Sequence, residues 1–214
     1  MEEQEQTEQS EPNTDAAPAA DAVYECPMPA PEQFEARVTE LSTAARSFVI
    51  ATVPTIVSPE HMDVLTEPLK VGAERAGRSL ADIDIAPTAS ANITDDVAAA
   101  RDTMRPYLAL YIGGMGSKTK NFYNEVVQRY GFEDAARTVQ DLYLDGKKDE
   151  AAAAIPDELI DSVSLCGSAD RVRDQLRLYR AAGVGTLIIT PMAWSREDRI
   201  KQLRLIAELN DEAR

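Results

Sequence analysis

The chain of 214 residues is poor in the side chains that usually form disulfides and metal sites. It contains two cysteines, Cys26 and Cys166, and one histidine, His61. Two isolated cysteines favour a reducing compartment, with a disulfide between them as the alternative. A single histidine without a second ligand at metal-binding spacing argues against a metal centre. We therefore expect no bound metal and a surface position for His61.

Long apolar segments are absent as well. No stretch of about 18 apolar residues is available to form a membrane-spanning helix. The N-terminus has no basic segment followed by an apolar one, as a secretory signal would have. We expect a cytoplasmic protein without a membrane partner.

Basic residues are missing from the start of the chain. Residues 1–36 contain ten acidic residues and no lysine or arginine, and the whole chain has a net charge of −15. The other 27 acidic and 22 basic residues leave −5 for residues 37–214. Both parts would repel a polyanion, so we expect no nucleic-acid partner. The composition of residues 1–31 predicts a disordered acidic tail, which increases solubility or, as the alternative, binds a partner.

From residue 32 onward, helical and strand patterns alternate. A helix is predicted at 32–46 and a buried strand at 48–53. Amphipathic helices separate three further strands, which are predicted at 83–93, 162–166 and 186–190. This alternation indicates βαβ units and a parallel sheet. Four strands in about 183 residues after the tail are too few for a complete eight-stranded barrel, which needs at least ~200 residues.

Capping residues mark several of the predicted helix starts. Thr94, Ser168 and Ser195 each precede an amphipathic segment, and Asp198 completes a capping box with Ser195. Pro106 removes a backbone donor from the helix that follows Thr94 and predicts a kink there.

Five segments, in their order and spacing, resemble one known family. They are Ser-Pro-Glu-His-Met-Asp (58–63), Arg-Pro-Tyr-Leu-Ala-Leu-Tyr-Ile-Gly-Gly-Met-Gly (105–116), Lys-Asn-Phe-Tyr-Asn (120–124), Gln-Asp-Leu-Tyr-Leu-Asp-Gly (140–146) and Pro-Asp-Glu-Leu-Ile-Asp (156–161). The family is the luciferase-like monooxygenase superfamily, in its branch of coenzyme F-420-dependent oxidoreductases similar to methylenetetrahydromethanopterin reductase. The resemblance covers residues 54–214.

The resemblance implies an α/β fold, namely the C-terminal half of a (βα)8 TIM-type barrel, rich in helix. The acidic tail (1–31) and an unrelated helix and strand (32–53) would precede it. It implies an oxidoreductase that transfers hydride with coenzyme F-420, or uses reduced FMN with oxygen, on a small-molecule substrate. In the family the first half of the barrel supplies most cofactor contacts. The alternative is therefore a catalytically incompetent half-barrel that acts as a binding or assembly module. An open four-stranded sheet also predicts a homo-oligomer.

Eight residues are candidates for cofactor binding, and no catalytic residue can be identified. Three are polar residues near predicted strand ends, where barrel enzymes have their sites, although such ends are commonly polar anyway. Three belong to a glycine-rich basic loop that either approaches an anion or ends a helix. Two form a strand-to-helix turn that either binds phosphate or caps the helix. In that order, the candidates are Ser90, Asn92 and Thr190; Gly113, Gly114 and Lys118; and Gly167 and Ser168.

Overall fold

A computed structural model describes residues 50–51 and 55–213. The predicted tail (1–31) and the predicted helix (32–46) lie outside these residues, as does most of the predicted strand 48–53. The α-helices of the described part are α1 (Asp63–Arg75), α2 (Val97–Ala109), α3 (Phe122–Arg129), α4 (Glu133–Leu144), α5 (Lys148–Ala153), α6 (Asp157–Val163), α7 (Ala169–Ala181) and α8 (Arg196–Glu212). The strands are β1 (Ile50–Ala51), β2 (Asp84–Ile85), β3 (Thr88–Ile93), β4 (Ser164–Gly167) and β5 (Ile188–Pro191).

Every strand pair in the described part is parallel. β1 pairs with β2, and a three-stranded sheet has the order β4-β3-β5. Parallel neighbours require crossover connections, and these contain the helices. The expected helix-rich α/β fold with a parallel sheet is confirmed.

The strand order differs from that of consecutive strands in a barrel, where neighbours in sequence are neighbours in space. Here β5 pairs with β3 instead of β4, so β3 is the central strand. Backbone bonds extend this pairing at both ends, from Ile188 N to Pro87 O (2.9 Å) and from Met192 N to Ala91 O (2.8 Å). The predicted strand 83–93 is split into β2 and β3 around Pro87, which has no N–H to donate to a ladder.

The helix starts follow the sequence with one correction. Asp96, and not Thr94, is the N-cap of α2, because its carboxylate accepts a hydrogen bond from Ala99 N at 3.0 Å. Ser195 caps α8 as predicted, since its hydroxyl accepts from Asp198 N at 3.0 Å. α2 continues through Pro106 and is followed by a π-helical turn, Leu110–Gly114.

Two buried tyrosines fix the segment that follows β1. Tyr130, at the end of α3, donates its phenol hydrogen to Ile56 O at 3.1 Å. Tyr179, on α7, donates to Val57 O at 2.8 Å. Burial raises the pKa of both phenols, that of Tyr130 to about 12. Because Ile56 and Val57 are fully buried, these bonds supply donors to carbonyls that water does not reach.

Candidate functional site

The C-terminal ends of β3 and β4 lie side by side. Asn92 aligns with Cys166 and Ile93 aligns with Gly167, and Thr94 N donates to Gly167 O at 2.9 Å. The structure therefore brings together three of the predicted residues, Asn92, Gly167 and Ser168, at one edge of the sheet. In parallel α/β proteins this is the edge where ligands bind.

The side chain of Asn92 is already engaged within the protein. Its Nδ2 donates to Thr103 Oγ1 on α2, and its Oδ1 accepts from Gln202 Nε2 on α8, both at 3.0 Å. Asn92 thus joins β3 to two helices. This arrangement suits a residue that positions the strand end.

Ser90 lies two residues before Asn92 on the same face of β3. It is only 4% exposed, and its Oγ has no hydrogen-bond partner among the described residues. It aligns with Thr190 on β5, so both side chains project from the same face, and Thr190 is exposed. A buried hydroxyl without a partner is uncommon in native proteins and requires an explanation.

A second hydroxyl and a phenol accompany Ser90. Thr55 Oγ1 is also buried, and no described residue pairs with it in hydrogen-bonding geometry, although both hydroxyls lie close enough to lower the pKa of Tyr107. Burial is the larger effect and raises the pKa of Tyr107, with a further contribution from Tyr111. The phenol of Tyr107 therefore stays protonated at neutral pH. Sequence reasoning missed Thr55 and Tyr107, and the only available signal was a pair of tyrosines four residues apart.

An aromatic row continues from Tyr107 along the helical segment. The Tyr107 and Tyr111 rings are 4.6 Å apart, and Tyr111 meets Tyr123 edge-on at 4.8 Å. Phe122 extends the row toward solvent, with its ring 5.5 Å from that of Tyr123. The buried hydroxyls are thus bordered by flat apolar surfaces.

The turn from β4 into α7 contains the two residues that are predicted to bind phosphate. Gly167 has φ +108°, a conformation that favours glycine, and a Cβ there would lie 3.0 Å from Arg171 Cδ. Ser168 is the N-cap residue of α7, yet its hydroxyl makes no capping hydrogen bond. The first-turn N–H groups of α7 therefore receive no bond from that side chain. Phosphate binding by Gly167 and Ser168 stays a prediction.

The contacts of Gly113 and Gly114 concern helix packing. A Cβ on Gly113 would lie 2.4 Å from Tyr143 Cβ, and one on Gly114 would lie 2.5 Å from Tyr143 Cε1. The two glycines therefore let α4 approach the π-helical turn closely. Their predicted approach to an anion stays a prediction, and packing alone accounts for glycine at both positions.

Lys118 lies at a polar cavity of about 350 Å³ between α3 and α4. Its Nζ is 2.7 Å from Asp141 Oδ1, and both side chains are largely exposed. Gln140 also lines the cavity, and its Nε2 has no partner in the described part of the chain. Lys118 thus has an internal counterion, and cofactor binding by it stays a prediction.

An ion-pair network lies beneath the strand ends. Arg101 on α2 binds Asp157 at 2.7 Å and Asp161 at 2.6 Å, and Arg171 on α7 binds Asp161 at 2.8 Å. Burial alone would raise the pKa of Asp161, but the bonds from Arg101 and Arg171 outweigh it and lower that pKa. The adjacent Cys166 is a buried free thiol whose pKa is raised by burial. A neutral thiol here is a packing residue, because only the thiolate is a nucleophile.

Residues 50–51 and 55–213 contain neither a membrane-spanning helix nor a metal-binding cluster. No helix there combines the length and the apolar composition needed to cross a membrane. No three His, Cys, Asp or Glu side chains are grouped so that they could hold a metal ion.

The parallel strands and crossover helices define an α/β fold whose C-terminal strand ends carry polar groups. Comparison with known proteins specifies the class. The model of the luciferase-like monooxygenase family matches residues 41–186, and the chain belongs to this family. The predicted family membership is confirmed.

Two relatives illustrate the match. A Mycobacterium tuberculosis protein named as a coenzyme F-420-dependent oxidoreductase is 42% identical over 140 residues, which are 64% of this chain and 40% of that protein. The 5,10-methylenetetrahydromethanopterin reductase of Methanopyrus kandleri is 25% identical over 146 residues, 67% of this chain and 40% of the reductase. The chain thus spans about two fifths of the length of these relatives.

Solved structures support the same fold. The structure of the coenzyme F-420-dependent tetrahydromethanopterin reductase from Methanopyrus kandleri matches with a TM-score of 0.57 and 23% identity, covering 74% of this chain and 44% of the reductase. An F-420-dependent secondary alcohol dehydrogenase in complex with an F-420–acetone adduct matches with a TM-score of 0.53 and 13% identity, covering 80% of this chain and 46% of the dehydrogenase. The expected resemblance to the barrel fold of luciferase-like enzymes is confirmed at the level of the fold.

Proposed function

We propose that this chain is part of a coenzyme F-420-dependent oxidoreductase that transfers hydride between the deazaflavin and a small-molecule substrate. The single observation that carries the proposal is the edge where β3 and β4 end, with Asn92 beside Gly167 and Ser168. Because the chain belongs to the luciferase-like monooxygenase family, we interpret this edge as part of a coenzyme site. The names of the relatives favour coenzyme F-420 over the alternative, reduced FMN with oxygen.

The residues at this edge fit such a coenzyme. A deazaflavin has a planar ring with carbonyl oxygens and carries a phosphate on its side chain. The buried hydroxyl of Ser90, which has no partner among the described residues, and the exposed hydroxyl of Thr190 would hold the polar edge of the ring. Gly167, Ser168 and the start of α7 would hold the phosphate through backbone N–H groups and the positive end of the helix.

The coenzyme supplies the hydride chemistry, and the protein contributes binding and orientation. Asn92 keeps β3 in register with the helices on either side through its two hydrogen bonds. The Arg101–Asp161–Arg171 network fixes α2, α6 and α7 around the end of β4. These groups would hold the coenzyme site in shape while the substrate binds.

A fluorescence titration of the 214-residue chain with coenzyme F-420 tests this proposal, with FMN as the competing ligand. We expect a dissociation constant on the order of 100 μM or weaker, because the resemblance assigns most coenzyme contacts to the first half of the barrel. Ser168→Asp should weaken binding at least fivefold by repelling the phosphate, while its charge at a helix N-terminus does not destabilise the fold.

Ser195→Asp is the matched control for this substitution, since it places the same charge at the N-cap of α8. It should leave coenzyme binding unchanged. Equal dissociation constants for the wild type and Ser168→Asp would refute the phosphate assignment. Tighter binding of FMN than of coenzyme F-420 would overturn the choice of coenzyme.

A second function, self-association without turnover, is supported by a different observation. The outer edge of β5 has no strand partner in the described part of the chain. Large apolar side chains around it are exposed, with Trp194 95% exposed, and they include Ile188, Ile200 and Leu203. Unpaired strand edges and exposed apolar groups promote association. We propose that two copies join through this region.

Sedimentation equilibrium at micromolar concentration tests self-association. We expect a dimer that Ile188→Lys weakens at least tenfold, because the lysine places a charge on the proposed interface. Leu178→Lys, a similarly exposed leucine on α7, is the control and should leave the dimer intact. A monomer at all concentrations, or equal weakening by both substitutions, would contradict the proposal.

A further inference from the structure

Three hydroxyl groups meet where β3 passes beneath α2. Ser90 Oγ and Thr55 Oγ1 are buried without hydrogen-bond partners among the described residues, and both act on the phenol of Tyr107. We infer that Thr55, Ser90 and Tyr107 together bind the carbonyl oxygen of a neutral, planar ligand. Tyr107 would bind the ligand directly by donating its phenol hydrogen to that oxygen. We call these three residues the hydroxyl cluster.

Two buried hydroxyls in one place lack hydrogen-bond partners among the described residues. Each loses its contact with water without gaining a hydrogen bond, so the pair is a substantial cost to the fold. Apolar residues of similar size, such as valine at position 55 and alanine at position 90, would avoid this cost. A ligand acceptor that receives hydrogen bonds from the cluster would offset it.

The groups around the cluster favour a neutral hydrogen-bond acceptor over a charged one. The groups that act on Tyr107 are the hydroxyls of Thr55, Ser90 and Tyr111 together with burial, and no acidic or basic side chain is among them. An anion placed in such a neutral, partly buried site would lose its hydration without gaining an opposite charge. A carbonyl oxygen accepts two hydrogen bonds and carries no net charge, so it suits the cluster better.

The aromatic row favours a ligand with a planar ring. Tyr107 and Tyr111 present tilted rings 4.6 Å apart, and Tyr123 stands nearly perpendicular to Tyr111. Planar rings pack against such surfaces in offset or edge-on contact. Tyr107 and Thr55 are partly exposed, so the cluster is connected to the protein surface.

Two sources could supply the carbonyl group, and this part of the inference rests on the proposed function. One is the pyrimidinedione ring of the deazaflavin, and the other is a ketone substrate. Uracil carries the same two carbonyl groups as the pyrimidinedione, and acetone carries one without a planar ring. The two compounds therefore serve as separate probes.

The test is a proton–nitrogen NMR titration of the full 214-residue chain with uracil, acetone and pyrimidine at millimolar concentrations. We expect saturable shifts of the Thr55, Ser90 and Tyr107 amide signals with uracil, and none with pyrimidine, which is planar but lacks carbonyl groups. Saturation with uracil alone assigns the site to the coenzyme ring. Saturation with acetone assigns it to the substrate.

Substitutions within the cluster complete the test. Tyr107→Phe and Ser90→Ala should each weaken uracil binding at least fivefold. Thr55→Val, which replaces the hydroxyl with a methyl group of similar size, should act in the same direction. Tyr143→Phe is the control, because it changes a tyrosine that packs against Gly113 outside the cluster. Failure of all three probes to saturate, or binding that the cluster variants do not alter, would overturn the inference.

The result is separable from that of the proposed function. Saturable uracil binding without coenzyme F-420 binding would remove the proposed function and leave the carbonyl site. If Tyr107→Phe leaves coenzyme binding unchanged and uracil causes no response, the proposed function would stand and the carbonyl site would be refuted.

Discussion

The bond from Tyr179 to Val57 gives the sharpest test of the fold. Tyr179 is 2% exposed, and its phenol donates to Val57 O at 2.8 Å across 122 positions of sequence. Tyr179→Phe removes the donor and leaves the Val57 carbonyl buried without a partner. The expected loss is about 1–3 kcal/mol of unfolding free energy, since it includes the desolvation of an unpaired carbonyl as well as the lost bond.

Urea unfolding of the full chain, followed by circular dichroism, measures this loss. Tyr143→Phe is the matched control, because the Tyr143 ring packs beside Gly113 and Lys148 and its phenol makes no hydrogen bond within the described residues. It should change the unfolding free energy by less than about 0.5 kcal/mol. Equal effects of the two substitutions would refute the reasoning, because the Val57 carbonyl would then need no internal donor.

Three further substitutions or conditions have defined expected outcomes. Burial raises the pKa of Tyr130 to about 12, so its contribution to stability is complete below the unfolded value near 10. That contribution should fall by about 1.4 kcal/mol per pH unit between about pH 10 and 12, a slope that Tyr130→Phe removes in urea titrations at each pH. Gly113→Ala should lower the melting temperature strongly, since the new Cβ would lie 2.4 Å from Tyr143 Cβ. Gly72→Ala, at an exposed position of α1, should instead raise the unfolding free energy by about 1 kcal/mol, because no atom lies within 4 Å of the added Cβ. Ser195→Ala should cost about 1 kcal/mol by removing the N-cap of α8, and an unchanged urea midpoint would contradict that role.

Local patterns in the sequence were sufficient to predict most helices. The cap of α8 is contained within a few residues, and Ser195 occupies it as predicted. The start of α2 was misplaced by two residues because Thr94 and Asp96 are both good caps, and only the backbone geometry decides between them. Helix α6 extends to Val163, into the range predicted as a strand (162–166), since seven residues beside a strand give too short a periodic pattern to mark the boundary.

Long-range relations could not be predicted in the same way. The pairing of β5 with β3 is decided by the whole sheet, and no local feature of Ile188–Pro191 specifies its neighbour. The hydroxyl cluster joins residues 55, 90 and 107 from three different elements, so a reading of one segment at a time misses it. Ser90 was found because its strand could be identified, whereas Thr55 and Tyr107 become meaningful only through their position beside it.

The order β4-β3-β5 would limit the rate at which a second chain could form a full barrel with this one. In a full barrel β5 would lie beside β4, so the β3–β5 hydrogen bonds from Thr88 to Ala91 would first have to break. Association would then wait for a unimolecular opening step. Its observed rate would rise with partner concentration only until that step became limiting, and it would rise steeply with temperature, as unfolding rates do.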